Sequence, residues 1–144
     1  FSLGYHRPRR LSLSPSSAAS DRYKTQVIDG IVGNWEIPAE GIVSSAVAAG
    51  RNDLVVTTID LGDNVARIIA EGGIIKGLGA QLPYDQGVAE AKLAAYALLG
   101  KEAPAYVAVS AQPVTRDNVL EAYKIVYHQD APDWLKEAYD KGNG

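Results

Sequence analysis

The stretch Leu54-Val55-Val56-Thr57-Thr58-Ile59-Asp60-Leu61-Gly62-Asp63 decides how this chain is read. Its first six residues are apolar or β-branched, the composition of a strand within a sheet, and the four that follow are turn chemistry. Val65, Ile68 and Ile69 then recur at helical spacing until Gly72-Gly73 stops the helix. The same unit stands upstream. Val27-Ile28-Asp29-Gly30-Ile31-Val32-Gly33 reads as a strand, Pro38 sits where a first helical turn tolerates it, and Ile42, Val43, Ala46 and Val47 share a helical face that ends at Gly50. Downstream, residues 74–80 form a third strand.

Strands that alternate with helices through short turns predict an α/β fold. Parallel neighbours need crossovers of this length, so the expected architecture is a parallel sheet with helices on both faces. After Pro83, an alanine-rich helix carries Val88, Ala91, Leu93, Ala95, Leu98 and Leu99 and is closed by Gly100. Residues 105–109, Ala-Tyr-Val-Ala-Val, are a candidate fourth strand. Thr115 can cap a helix bearing Val119, Leu120, Tyr123 and Val126, and a last short helix fits residues 134–139.

The bulk composition bounds the function. With 144 residues, 47% of them hydrophobic, the chain can bury one core. The absence of cysteine excludes disulfides, thiolate metal sites and a cysteine nucleophile. A net charge of −3 gives no basic footprint for nucleic acid, and no run approaches the ~20 apolar residues of a membrane-spanning helix. Residues 1–25 differ in kind, being rich in Ser, Pro and Arg without apolar periodicity, and read as a disordered or non-native leader. A start at Phe1 and the lack of any methionine lead us to expect a piece of a longer chain.

Ligands of parallel α/β sheets bind beyond the carboxyl ends of the strands. The residues directly after the three strands are Asn34, Trp35 and Glu36, then Asp60, then Gln81. Each polar one also reads as a helix cap or turn former. Together they make a set of two amides, two carboxylates and one aromatic. Carboxylates accept from hydroxyls, amides donate and accept, and an aromatic face stacks on the C–H side of a sugar ring, so the set suits a neutral polyhydroxylated ligand. Phosphate is poorly served, because no Lys or Arg follows any of the three strands. Gly77-Leu78-Gly79 lacks the third glycine of a dinucleotide fingerprint. Neither a nucleophile nor a metal set stands beside Glu36 and Asp60, and His6 and His128 fall away from the strand ends. The expectation is a binding protein without catalysis, cofactor or metal.

Three segments carry a family resemblance. Ile28-Asp29-Gly30-Ile31-Val32-Gly33-Asn34-Trp35-Glu36, running into a small-residue helix that ends in Ala49-Gly50-Arg51, is similar to a strand, polar turn and helix of the periplasmic sugar-binding proteins of the ribose/galactose-binding type. The strand ending in Asp60 resembles that family's next strand with its ligand-binding aspartate. Gly77-Leu78-Gly79-Ala80-Gln81-Leu82-Pro83 resembles its strand ending in Ala-Gln-x-Pro, and residues 113–124 resemble its closing segment. The resemblance covers residues 26–127, and before Gln26 nothing matches the family. It implies a partial periplasmic-binding-protein-like I fold, mainly the second of two lobes. Residues 26–81 would belong to that lobe, 82–109 to a hinge crossing with a helix and strand of the first lobe, and 110–144 to a C-terminal closing segment.

The resemblance also implies roles. Asn34, Asp60 and Gln81 match ligand-contacting positions, with Trp35 and Glu36 beside them where the family commonly has an acidic pair. The implied function is the solute receptor of an ABC importer, binding a sugar or polyol between two lobes and docking with a membrane permease. It would be periplasmic or extracellular, and membrane-associated through the transporter. The alternative is the effector-binding domain of a lac-repressor-type regulator, which shares the fold. If Gln81-Leu82-Pro83 is a hinge crossing, the helix after it belongs to a lobe not otherwise present and should lack packing partners.

Overall fold

The computed structural model describes residues 28–143. Its elements in chain order are β1 (Gly30–Val32), α1 (Glu36–Ala48), β2 (Val55–Ile59), α2 (Asp63–Ala70), β3 (Ile75–Ala80), α3 (Pro83–Leu98), β4 (Gln112–Thr115), a 3-10 turn (Arg116–Asn118), α4 (Val119–Tyr127) and α5 (Asp133–Lys141). The sheet order is β1-β2-β3-β4. β1, β2 and β3 are mutually parallel, and β4 returns antiparallel to β3, with Leu78 opposite Val114 and Ala80 opposite Gln112. The fold is a mostly parallel α/β sheet. The leader expected over residues 1–25 lies outside the described residues.

The three parallel strands follow one another across the sheet in chain order. Right-handed crossovers that step the same way each time set their helices on the same face. Burial agrees: along β2, Val56 and Thr58 are buried while Val55, Thr57 and Ile59 are exposed. The covered face forms the core, where Val56, Leu78 and Val114 meet Ala39 and Ala46 of α1, Val65 and Ile69 of α2, and Val119, Ala122 and Val126 of α4. A second layer of helices would need strands added beyond β1 with the direction of stepping reversed. No such layer occurs among the described residues, and Val32 on the other face is 75% exposed.

Local chemistry sets the joints. Gly33 is buried in the turn from β1 into α1, where a Cβ would lie 3.0 Å from the Ala39 Cβ, so any side chain there would have to push α1 back by a few tenths of an ångström. At the opposite edge of the sheet, Arg116 clamps two helix ends. Its Nε donates to the Ala70 carbonyl at 2.9 Å and its Nη2 to the Tyr139 carbonyl at 3.0 Å and to Asn143 Oδ1 at 2.9 Å, while the guanidinium lies over the Tyr139 ring at 4.8 Å. Carbonyls in the last turns of helices lack intrahelical donors and carry the negative end of the dipole, so a guanidinium there meets both needs. Gly142 permits the approach, since a Cβ would lie 2.7 Å from the Ala70 oxygen.

The fourth strand differs from expectation. Residues 105–109 form no strand, and Tyr106 is 82% exposed. The place beside β3 is taken instead by β4, and the 105–109 run pairs with no strand among the described residues. β4 contains Pro113, which an edge strand tolerates because no further neighbour needs its missing N–H. The alanine-rich helix forms as expected, as α3, yet it contains no buried residue. It meets the rest through its first turn, where Tyr84 stacks on His128 with ring centroids 4.0 Å apart and Asp85 Oδ1 lies 3.7 Å from His128 Nε2.

A candidate ligand site at the carboxyl edge of the sheet

Because β1, β2 and β3 are parallel, the residues after each strand gather at one edge of the sheet. The Gly33 N–H donates to the Thr57 carbonyl at 2.8 Å and the Asp60 N–H to the Gly79 carbonyl at 3.2 Å, which aligns the three strand ends side by side. A cleft of about 170 Å³ opens there. Glu36, from the first turn of α1, Asp60 after β2 and Gln81 after β3 all line it, joined by Gln86 of α3 and Tyr127 of α4. Asn34 and Trp35 lie at the same edge, exposed, but do not line the cleft.

The antiparallel return of β4 matters for this edge. β4 carries the chain to the far edge, and α4 then climbs back so that its last residue, Tyr127, reaches the carboxyl side. There the Tyr127 hydroxyl donates to the Leu61 carbonyl. Burial is the main reason its hydroxyl titrates above the ordinary tyrosine range, and the nearby Tyr123, Asp63, Glu36 and Asp60 push it the same way. The phenol therefore keeps its proton and remains a donor at neutral pH. Gln86 Nε2 donates to Gln81 Oε1 at 3.2 Å, pairing the amide just after β3 with one in the first turn of α3.

The backbone of Asp60 has a φ of 71°, in the left-handed region. Aspartate is among the few residues other than glycine that adopt this conformation, and doing so redirects the chain abruptly from β2 into the turn before α2. The lining includes two carboxylates and two amides, with no Lys or Arg. Such a set can accept hydrogen bonds from hydroxyls and donate to hydroxyl oxygens, and it would repel an anion. Among the described residues there is no group of three or more His, Asp or Glu placed to hold a metal ion.

Gln86 and Tyr127 were not among the residues singled out from the sequence. Gln86 could have been found by extending the Gln81 position one turn into the helix that Pro83 starts. Tyr127 had no such signal, since 66 positions separate it from Leu61.

Fold and site together define a mostly parallel α/β unit with a candidate ligand cleft at the carboxyl edge of its sheet. No family model matches the chain, and no curated protein does either. Solved structures do. An ABC transporter solute binding protein from Agrobacterium vitis with bound allitol superposes with a TM-score of 0.65 at 26% identity, over 74% of this chain and 38% of its own. A glucose-galactose binding protein from Geobacillus stearothermophilus gives 0.62 at 18% identity, over 72% of this chain and 37% of its own. A 5-methylthioribose transporter solute binding protein from Thermotoga lettingae gives 0.60 at 21% identity, over 86% and 44%. The chain thus has the fold of part of an ABC sugar-binding protein and spans 37–44% of the length of these structures.

Proposed function

We propose that this chain is part of the solute receptor of an ABC importer, a non-enzymatic protein that takes a neutral sugar or polyol. The observation that carries the reading is the meeting of Glu36, Asp60, Gln81 and Gln86 around one cleft at the carboxyl edge of the sheet, with no cation in its lining. Asp60 and Glu36 accept from ligand hydroxyls. Gln81, whose Oε1 is engaged by Gln86, donates through its Nε2. Asn34 and Trp35, just outside, reach a ligand larger than the cleft itself. The Agrobacterium relative was solved with a polyol, allitol, which supports the same ligand class.

In this reading residues 26–81 belong to one lobe, 82–109 cross a hinge into the other, and 110–144 close the structure. The cleft is below the roughly 300–1,000 Å³ of an ordinary small-molecule pocket, as half of a two-lobed cleft would be. The complete receptor works in the periplasm or at the cell surface and hands its ligand to a membrane permease. The compared structures are named as transport or sugar-binding proteins, which favours a receptor over the effector domain of a regulator.

Calorimetry on the two-lobed receptor with a panel of neutral sugars, polyols and their phosphates tests this. Binding of a neutral member is expected, with Asp60→Gly costing about 1.5–3 kcal/mol, the scale of a lost charged hydrogen bond. Glycine is the substitution of choice because it adopts a φ of 71° without strain. A preference for sugar phosphates, or an unchanged affinity in the variant, would remove the site.

A further inference from the structure

The Asp60 turn is held from several sides. Its N–H is fixed to the Gly79 carbonyl of β3. The Leu61 side chain is 2% exposed and anchored in the core, while the Leu61 carbonyl accepts the Tyr127 hydroxyl. A left-handed aspartate persists where its surroundings over-determine it, and these three attachments surround the one residue in that conformation at the cleft.

Tyr127 is itself braced. Its ring lies against Tyr123, with centroids 4.6 Å apart, and Tyr123 meets Trp134 of α5 edge-on at 6.3 Å. Arg67 of α2 lies over the Trp134 ring at 5.1 Å. An aromatic column thus runs from α2 and α5 through α4 to the cleft. Aromatic pairs of this geometry limit ring motion, so the hydroxyl at the end of the column is delivered to a fixed point.

We propose that Tyr127 is a positioning residue: it sets the turn that aims the Asp60 carboxylate into the cleft and so raises affinity for the ligand through that carboxylate, its own hydroxyl being engaged by the Leu61 carbonyl. The inference rests on the proposed ligand role of Asp60. Its chemistry is simple. The Tyr127 proton occupies the Leu61 carbonyl, the peptide between Leu61 and Gly62 keeps one orientation, and the carboxylate one residue earlier is presented in the conformation that the ligand needs. The cost of ordering that turn is then met on folding rather than on binding, which is how preorganisation raises affinity.

Tyr127→Phe keeps the ring and the column and removes the one oxygen. In the two-lobed receptor it should weaken sugar binding about five- to tenfold, the scale of one hydrogen bond. Made in an Asp60→Gly background, it should change affinity less than about twofold, because there is no carboxylate left to aim. In the 144-residue chain itself, Tyr127→Phe should speed hydrogen exchange at the Asp60 amide, which is bonded to the Gly79 carbonyl, while the β2 amides stay protected. If Asp60→Gly leaves affinity unchanged, the site reading fails and this inference with it. If Asp60→Gly weakens binding but Tyr127→Phe weakens both backgrounds equally, Tyr127 touches the ligand directly and only this inference falls. Where the Asp60→Gly receptor binds too weakly to compare, unchanged exchange at Asp60 in Tyr127→Phe overturns it.

Discussion

At the scale of single residues, the two tyrosines of the column make the chain sensitive to alkali. Burial raises the titration of both Tyr123 and Tyr127 above the ordinary range, and Asp63 adds to it in each case. A folded-state value above the unfolded one means that the folded chain holds its protons longer. The resulting stabilisation is fully present below the unfolded value near ~10 and is lost as pH rises through the higher folded values. Denaturant midpoints measured from pH 8 to 11 should therefore stay level and then fall, and the fall should be shallower in Tyr127→Phe. An identical alkaline slope in the variant would show that Tyr127 does not contribute. The same residue marks the limit of what the sequence discloses at this scale. Asp60 and Gln81 were legible because each directly follows a strand, and in a parallel sheet that position alone fixes the edge. Glu36 was legible on the same ground. Asn34 and Trp35 satisfy the same rule but lie outside the cleft lining, since strand-end position locates an edge and not the direction of each side chain. Tyr127 reaches the edge only through the tertiary path of α4, for which no local pattern exists.

At the scale of elements, periodicity and glycine stops located β1 to β3 and α1 to α3, because each strand and helix there is bounded by local turn chemistry. The fourth strand lies at Gln112–Thr115 and not at the expected 105–109. Val107 and its neighbours have the composition of a strand, whereas Pro113 argues against one, yet the available ladder lies beside residues 112–115. Edge position overrides propensity in both cases. What holds the closing helices on the sheet is again not periodic. Arg116 joins the turn after β4 to the ends of α2 and α5 through two carbonyls, an amide and the Tyr139 ring. Removing it leaves those carbonyls without their charged donor. Arg116→Ala should cost roughly 1.5–3 kcal/mol in chemical denaturation. Arg116→Lys should recover little of it, because an ammonium cannot span the two helix ends as a planar fork does. An unchanged midpoint for Arg116→Ala would mean that α5 is held without it, by the apolar contacts of Leu135 and Ala138 together with the Arg67–Trp134 and Lys141–Glu71 contacts.

At the scale of the whole molecule, the described residues leave two apolar surfaces without partners. One is the sheet face that carries Val32, Val55 and Ile59. The other is α3, where Val88, Tyr96 and Leu98 are exposed and no residue is buried. Burying a single Val or Leu is worth ~1.5–3 kcal/mol, so several left in water forfeit much of a domain's ~5–15 kcal/mol margin. Exposed apolar surface of this kind promotes association. In the proposed reading the cleft that Asp60 and Gln81 line is likewise one side of a two-lobed site. The 144-residue chain should therefore show concentration-dependent self-association in sedimentation. It should give no binding heat with ribose, galactose, xylose or allitol if, as proposed, a second lobe supplies the other contacts and the closure. The two expectations share one cause, and they separate from the site reading through the two-lobed receptor, which should bind where this chain does not. Micromolar sugar binding by a monomer of this chain would show that the cleft at Asp60 and Gln81 is sufficient by itself, and the assignment of α3 to a second lobe would have to be given up.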